Sequence, residues 1–406
     1  MKNETRAKYI LLVGDGMADY PLAELAGKTP LEAAHTPNMD RIAACRVGSV
    51  NTIPQGIDPG SDVANLSLLG YDPSVYRTGR GPFEAASMGV SLGENQVAFR
   101  MNLVTLDRRS EQEMIMVSNS SGEITTEESR PIIAKLQKEL AAPGIDIYQG
   151  IAYRHLLVWE KGPVDAQTIP PHDVQDQNMA AYLDPARKDP IVDVVRHSWK
   201  WMEDHPVNLE RKRRGLQPAN SVWLWGQGKA LNLPLFNDKF GLQGGVISAV
   251  DLLRGIGVYA GLKSIEVEGA TGYLDTNYSG KAEEALEALK DLDFMFVHVE
   301  APDEASHSGN IGDKIEAIEA FDKKVVGTVL KGLEQFDDYR IMIASDHFTP
   351  ISIKTHASDP APFAWASRQE LASGKRGVGF TEDFANKSGL VFKRGYDLMP
   401  AFLGQS

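Results

Sequence analysis

Aspartates, histidines and one serine that could together hold metal ions and accept a phosphoryl group stand at four places in this chain. Asp15 follows the apolar run Tyr9-Ile-Leu-Leu-Val-Gly14, Asp303 and His307 follow Phe294-Met-Phe-Val-His-Val299, and Asp346 and His347 follow Ile341-Met-Ile-Ala-Ser345. His356 comes nine residues after His347, and Pro59-Gly-Ser-Asp-Val-Ala-Asn65 offers Ser61 in a tight turn. Carboxylates and imidazoles at the ends of buried strands are where an α/β enzyme gathers its chemistry. Three of each predict a cation, because clustered carboxylates repel unless a positive charge offsets them. Mixed nitrogen and oxygen donors point to Mn²⁺, Mg²⁺, Zn²⁺ or Co²⁺ rather than to a thiolate-selected metal.

Each signal is weak alone, and the conjunction carries the reading. Asp303-Glu-Ala-Ser-His307 puts two donors on one helical face at i and i+4. Asp346 and His347, being adjacent, can serve one ion or one each of two only from a loop. Gly14 and Gly16 permit the sharp turn that frees Asp15, and Asp19 reads as a helix N-cap. Ser61 has no evident histidine or lysine neighbour to act as a base, so a divalent cation is expected to stabilise its alkoxide. Asp62-Val-Ala-Asn65 would begin a helix whose N-terminal N–H groups attract an anion.

The elements that must position these groups read as a doubly wound α/β core with a mostly parallel sheet. Ile10–Val13, Phe294–Val299 and Ile341–Ala344 are continuous apolar runs, as expected of parallel strands buried on both faces. Between the last two, Asp313–Gln335 has helical spacing, and Ser248–Leu262 reads as another helix before a short strand at Ser264–Glu268. The middle of the chain differs: alternating strands at Gln96–Thr105, Glu113–Val117, Tyr153–Trp159 and Ser221–Trp225 accompany an acidic helix at Thr126–Leu140 and proline-bearing loops. The ligands flank this stretch and none lies in it. The expected plan is a discontinuous core, 1–95 with 240–406, and an inserted α+β lid domain, 96–239. The insertion holds Tyr153-Arg-His-Leu-Leu157, Pro170-Pro-His-Asp173 and Arg211-Lys-Arg-Arg214. Arg154, His155, His172, Asp173 and Arg211 are thereby candidates to bind a substrate's phosphate or carboxylate, with Lys281 a further one. His197, His205 and His298 read as structural, the last inside an apolar strand.

The chain has 406 residues, 42% of them hydrophobic, enough for two domains with sizeable cores. Its net charge of −13 disfavours nucleic acid and anionic membranes as partners, and the apolar runs are strand-sized, short of a membrane span. The single cysteine, Cys45, excludes an intrachain disulfide, reads as a small buried residue and suits a reducing compartment. A cytoplasmic protein is expected, with its oligomeric state left open.

Along almost its whole length the chain resembles the cofactor-independent phosphoglycerate mutases of the archaeal type, within the alkaline phosphatase superfamily. The resemblance runs through Gly14-Asp-Gly-Met-Ala-Asp19, Thr36-Pro-Asn-Met-Asp40, Pro59–Asp72, Thr78-Gly-Arg-Gly-Pro-Phe-Glu-Ala-Ala86, Pro218-Ala-Asn220, Trp223-Leu-Trp-Gly-Gln-Gly228, Ala270–Tyr278 and the Asp303/His307, Asp346-His347 and His356 motifs. It implies that Ser61 is the nucleophile, becoming phosphoserine. It implies two divalent ions, one held by Asp303, His307 and His356, the other by Asp15, Ser61, Asp346 and His347. It implies interconversion of 3-phosphoglycerate and 2-phosphoglycerate without 2,3-bisphosphoglycerate, with the glycerate enclosed while it reorients. Departures are Ser306 and Asn310, where the family often has glycine and aspartate, and Val174-Gln-Asp-Gln177, where a glycine usually follows Pro171-His-Asp173. Bacterial relatives of this length include a branch proposed to be homoserine kinases, and that, or a phosphatase using the same site, is the alternative reading; no G-x-x-x-x-G-K-[ST] loop supports a kinase.

Overall fold

The computed structural model describes residues 7–140, 144–373 and 377–405. They form two compact units, Met1–Arg77 with Asn232–Ser406, and Thr78–Leu231. Along the chain, β1 (Lys8–Gly14) and β2 (Val47–Val50) belong to the first unit. The second unit contains β3 (Gln96–Ser110), β4 (Glu113–Ser118), β5 (Ile145–Ile151), β6 (Arg154–Glu160) and β7 (Ser221–Gly228). The first unit then resumes with β8 (Gly244–Ile247), β9 (Lys263–Ser264), β10 (Phe294–Val299), β11 (Tyr339–Ser345), β12 (Ala361–Ser367) and β13 (Val391–Phe392).

The first unit is built on an eight-stranded sheet in the order β13-β2-β12-β11-β1-β10-β8-β9. Only β12 runs antiparallel to its neighbours, so the sheet is mostly parallel, as the continuous apolar runs predict. Side chains alternate across it. Ile10, Leu12, Met295, Val297, Ile341 and Ile343 join one core with Ile318, Phe321, Val325 and Val329 of the crossover helices. Leu11, Val13, Phe296 and Met342 are equally buried on the opposite face. The crossover from β10 to β11 passes from one side of β1 to the other through the helices Ile311–Ala320 and Gly327–Gly332, joined by a π-helical stretch, Phe321–Val326. Asp322 in that stretch is anchored by the Asn38 and Met39 amides, which donate to its carboxylate at 3.0 and 2.7 Å.

Register sets the site. Gly14 pairs with Val299 on one side and Ser345 on the other. Three parallel strands therefore end level with one another, and the residues just beyond them, Asp15, Glu300 and Asp346, are brought side by side.

In the second unit every pairing is antiparallel: β3 pairs with β6 and β7 along its first half and with β4 along its second. This unit begins at Thr78, ahead of the expected boundary at 96, because the helix Arg80–Ser87 belongs to it. Gly79 and Gly81 lie so close to the backbone of Gln227 and Ala98 that a Cβ at either position would collide with those carbonyls. The expected strand at Ser264–Glu268 is confined to Lys263–Ser264. Cys45 is half-buried, where a buried residue was expected. Among the described residues no helix is long and apolar enough to cross a membrane. Leu12, fully buried in a central strand, is expected on truncation to alanine to lower unfolding free energy by about 3 kcal/mol, read from the denaturant midpoint.

Candidate active site

Asp15, Asp303, Asp346, His347, His307, His356 and Ser61 all belong to the first unit and converge at the strand ends. The His347 Nε2 atom lies 3.2 Å from Ser61 Oγ, 3.3 Å from Asp15 Oδ1 and 3.4 Å from Asp346 Oδ2. His307 Nε2 lies 3.0 Å from Asp303 Oδ2 and 3.1 Å from His356 Nε2. The two groups adjoin: the His347 and His356 rings are 4.3 Å apart between centroids. One donor atom each from Asp303, His347 and His356 also fall within 4.8 Å of one another, as do donors from Asp15, His298 and Asp346. Ser61, without an evident base in the sequence, thus has an imidazole nitrogen within reach, brought from 286 residues away.

Local structure explains why each side chain points inward. Ser61 opens the helix Ser61–Leu68, so its hydroxyl sits where first-turn amides face outward and favour an anion. Asp303 and His307 share a face of the helix Ala301–Ser308. Asp346 is clamped: the Gly16 and His347 amides donate to Oδ1 at 3.0 and 2.9 Å, and Asn65 Nδ2 donates to Oδ2 at 2.8 Å. Gly16 has φ +57°, and a Cβ there would lie 2.5 Å from both Asp303 Oδ1 and Thr349 Oγ1, so only glycine fits. Thr349 donates its hydroxyl to Asp303 Oδ1 at 2.6 Å and lies 3.0 Å from His347 Nδ1. Nδ1–H of His347 is therefore the donor, and Nε2 presents its lone pair to the cluster. His307 is set the same way, Nδ1–H donating to the Lys354 carbonyl at 2.9 Å. Such partners fix the tautomer and aim of metal-binding imidazoles. Thr349 and Asn65 carried no sequence signal of a role.

The electrostatics ask for a cation. Burial, followed by the charges of Asp346, Glu300 and Asp303, pushes the Asp15 carboxyl well above the usual range. Burial and then Asp303 push Glu300 up to about 8. Asp303 is driven up by burial too, but hydrogen bonds from His307 and His356 outweigh this and hold it well below the usual range. Asp303 in return raises His307 to about 9. Asp15 Oδ1 and Glu300 Oε2 are buried with no hydrogen-bond partner. An orphaned carboxylate oxygen beside an imidazole lone pair fits a divalent ion of nitrogen–oxygen preference.

One expectation in this unit is corrected. Asp19 caps no helix: its Oδ2 accepts from the buried Lys314 ammonium at 2.8 Å and from the Ile351 amide at 3.1 Å. His298 is a buried histidine with both ring nitrogens hydrogen-bonded, as expected, and one of its partners is Asp15 Oδ2, 2.8 Å from Nε2. Lys281 is wholly buried, its ammonium donating to the His298 carbonyl at 3.1 Å and lowered by burial to about 8. The departures are structural: Ser306 donates to the Pro302 carbonyl and Asn310 caps its helix.

In the second unit, Arg154 is exposed and His172 and Asp173 stand together, 3.6 Å apart. The His172 ring rests edge-on against Trp225, and Arg100 lies over the same indole, 4.5 Å from its centroid, with Arg80 at 5.9 Å. Burial lowers Arg100 to about 10, offset by Glu84 and reinforced by Arg80 and Arg154. Burial also lowers His172, and Arg80 and Arg100 add to this. Arg80 and Arg100 were missed; an arginine inside the apolar run Val97-Ala-Phe-Arg-Met101 was the available signal. Arg211 and His155 do not join this cluster. Arg211 is buried, pairs with Glu128 and donates to the carbonyls of Gln217, Ser121 and Gly122, leaving little for a substrate. His155 is buried, accepts from the Gly150 amide through Nδ1 at 3.1 Å, and is held neutral by burial at about 3. His205 is structural as expected, accepting from the Val207 amide at a helix start.

Comparison with known proteins identifies the family. Residues 43–208 match the model of the 2,3-bisphosphoglycerate-independent phosphoglycerate mutase family. A probable 2,3-bisphosphoglycerate-independent phosphoglycerate mutase of Geobacter sulfurreducens is 49% identical, covering 98% of this chain and 99% of its own. The mutase of Methanosarcina barkeri is 49% identical over 97% of this chain and 98% of its own. Among solved structures, the PH0037 protein of Pyrococcus horikoshii superposes with a TM-score of 0.80 at 31% identity, covering 99% and 98% of the two chains. The cofactor-independent phosphoglycerate mutase of Thermoplasma acidophilum, at 24% identity and a TM-score of 0.63 over 98% and 99%, shares the fold. The chain belongs to the 2,3-bisphosphoglycerate-independent phosphoglycerate mutase family.

Two outcomes are expected of the isolated protein. Raised pKa values mean the folded chain keeps protons that the unfolded chain releases. The His307 contribution is complete below 6.5 and lost as pH rises through about 9. Glu300, at about 8, acts in the same direction, and Asp303 acts only at acid pH. Lys281, lowered by burial to about 8, and His155 and His298, lowered to about 3, act in the opposite direction, so the test is a difference between proteins: from pH ~6 to pH ~9 the unfolding temperature of chelator-treated parent should change less favourably than that of chelator-treated His307→Gln, and saturating Mn²⁺ should shrink the gap; the same profile in parent and variant would refute the cluster electrostatics. Arg211→Ala should lower unfolding free energy by about 3 kcal/mol, by leaving three carbonyls without this donor and Glu128 with only its exposed partner Arg214 and the Thr125 amide, while the KM for substrate stays that of the parent.

Proposed function

We propose that this chain interconverts 3-phosphoglycerate and 2-phosphoglycerate without 2,3-bisphosphoglycerate, through a phosphoserine at Ser61. The observation that carries the reading is Ser61 Oγ at a helix start, 3.2 Å from His347 Nε2, whose own contacts are two buried carboxylates. A hydroxyl so placed can attack a phosphoryl group, and the first-turn amides of its helix complement the charge that arrives.

Two divalent ions complete the site in this proposal, Asp303, His307 and His356 holding one and Asp15, Ser61, Asp346 and His347 the other. When bound, they would lower the pKa of the serine hydroxyl and neutralise charge on the transferring group. The protein's part is positional. Thr349 and the Lys354 carbonyl aim the imidazoles, and Asn65 and Gly16 hold Asp346. Lys281 places a cation beside Glu300. The unit Thr78–Leu231 is proposed as the substrate-binding insertion, with Arg80, Arg100, Arg154, His172 and Asp173 as its polar contacts; guanidinium groups suit the carboxylate and phosphate of such a substrate. The product isomer forms when the 2-hydroxyl of glycerate takes the phosphoryl group back from Ser61. Water reaching phospho-Ser61 would instead release phosphate. No observation favours a homoserine kinase.

Metal-loaded protein given 3-phosphoglycerate alone should form 2-phosphoglycerate with little free phosphate. Ser61→Ala should lower this turnover by about 10³-fold or more without shifting the unfolding midpoint. Near-parental turnover in the variant would exclude the covalent route, and ATP-dependent phosphorylation of homoserine without mutase turnover would exclude the substrate assignment.

A further inference from the structure

We infer that His298 is a positioning residue for Asp15, selecting which oxygen of that carboxylate is left to the metal, and that Ser248 sets the imidazole's tautomer. The inference rests on the proposed metal centre, not on the identity of the substrate. His298 lies near the end of β10 with its ring fully buried. Its Nδ1 faces Ser248 Oγ at 3.2 Å, and Ser248 Oγ already accepts the Val250 amide proton at 3.0 Å. Asp15, ionised as a metal ligand must be, can only accept at Oδ2, so the ring proton lies on Nε2 and Nδ1 accepts the single hydroxyl proton of Ser248. Nε2–H then donates to Asp15 Oδ2 at 2.8 Å. The donors run one way: Val250 amide to Ser248, Ser248 to His298, His298 to Asp15.

Distances separate this role from direct ligation. Two atoms sharing one tetrahedral ion at metal–ligand distances near 2.1 Å stand roughly 3.4 Å apart. Proposed ligand pairs stand at 3.0 to 3.4 Å here, His307 Nε2 with Asp303 Oδ2 at 3.0 Å and His347 Nε2 with its three neighbours at 3.2, 3.3 and 3.4 Å. His298 Nε2 meets Asp15 Oδ2 at 2.8 Å, the length of an N–H donated to a carboxylate. The consequence falls on the other oxygen: Asp15 Oδ1 is buried with no hydrogen bond and lies 3.3 Å from His347 Nε2. Without the imidazole, Asp15 could rotate or offer both oxygens, and Glu300 Oε2, 3.6 Å from His298 Nε2, could compete for the ion.

Mn²⁺ titration of the metal-free full chain, followed by electron paramagnetic resonance, tests this without turnover. Asp15→Asn identifies the equivalent that belongs to the Asp15 site. His298→Ala should weaken that equivalent roughly 10- to 100-fold and spare the other, while His298→Gln, whose amide N–H replaces Nε2–H, should stay within about threefold of the parent. Ser248→Ala should weaken the same equivalent by a smaller factor. Parental affinity in His298→Ala would overturn the inference. So would an equal loss in the Gln and Ala variants, which would make His298 a ligand. If His298→Ala does not fold, parental affinity in Ser248→Ala overturns it. A parent that binds two Mn²⁺ but lacks mutase turnover leaves the inference standing and removes the substrate assignment alone; a parent lacking the Asp15-site ion overturns the inference.

Discussion

The structure turns on a repulsion that the fold itself creates. Three parallel strands end level, and the residues beyond them are acidic: Asp15 after β1, Glu300 and Asp303 after β10, Asp346 after β11. Like charges about 4 Å apart at an effective dielectric near 20 repel by about 4 kcal/mol, several times the net worth of a typical hydrogen bond. Internal hydrogen bonds cannot offset several such pairs. Without a cation the chain answers by keeping protons, on Asp15, Glu300 and His307. With one, as proposed, those protons would be released and Asp15, Asp303 and Asp346 would become ligands. Metal affinity, site geometry and the pH dependence of stability thus share one cause.

What surrounds the carboxylates serves to aim them. Thr349 fixes one oxygen of Asp303 and His298 one oxygen of Asp15, leaving the other toward the cluster, whereas Asp346 is held at both, by two backbone amides at Oδ1 and by Asn65 at Oδ2. The rigid sheet beneath supplies the reference frame, since its central strands are buried on both faces. Gly16 marks how close the loops come, with no room for a methyl between Asp303 and Thr349. A lysine–aspartate pair, Lys314 with Asp19, sits just beyond, holding the loops after β1 and β11 together through the Ala18 and Thr349 carbonyls.

Parallel strands buried on both faces are continuous apolar runs, so β1, β10 and β11 were legible in the sequence, and with them the placement of Asp15, Asp303 and Asp346. The i, i+4 spacing of Asp303 and His307 was legible because both lie on one helix. Groups whose meaning depends on a distant partner were not. Asp19 looked like a cap because Lys314 lies 295 residues away. His298 looked like core because Phe296 and the valines beside it are apolar; which sheet face its ring takes, and that Asp15 lies there, follows only from strand order. Arg211 looked like a substrate ligand because a basic run is read by charge, whereas its guanidinium is consumed by Glu128 and three carbonyls. Arg100 was passed over for the opposite reason, a charge hidden within an apolar strand.

The central claim is that this carboxylate cluster is a two-ion centre with Ser61 beside it. Anomalous diffraction at the manganese edge from crystals of Mn²⁺-loaded protein tests it most directly. Two peaks are predicted, one among Asp303, His307 and His356 and one among Asp15, Asp346, His347 and Ser61, with His298 held off the metal by its bond to Asp15. No peak at the strand ends, or a single ion remote from Ser61, would contradict the account.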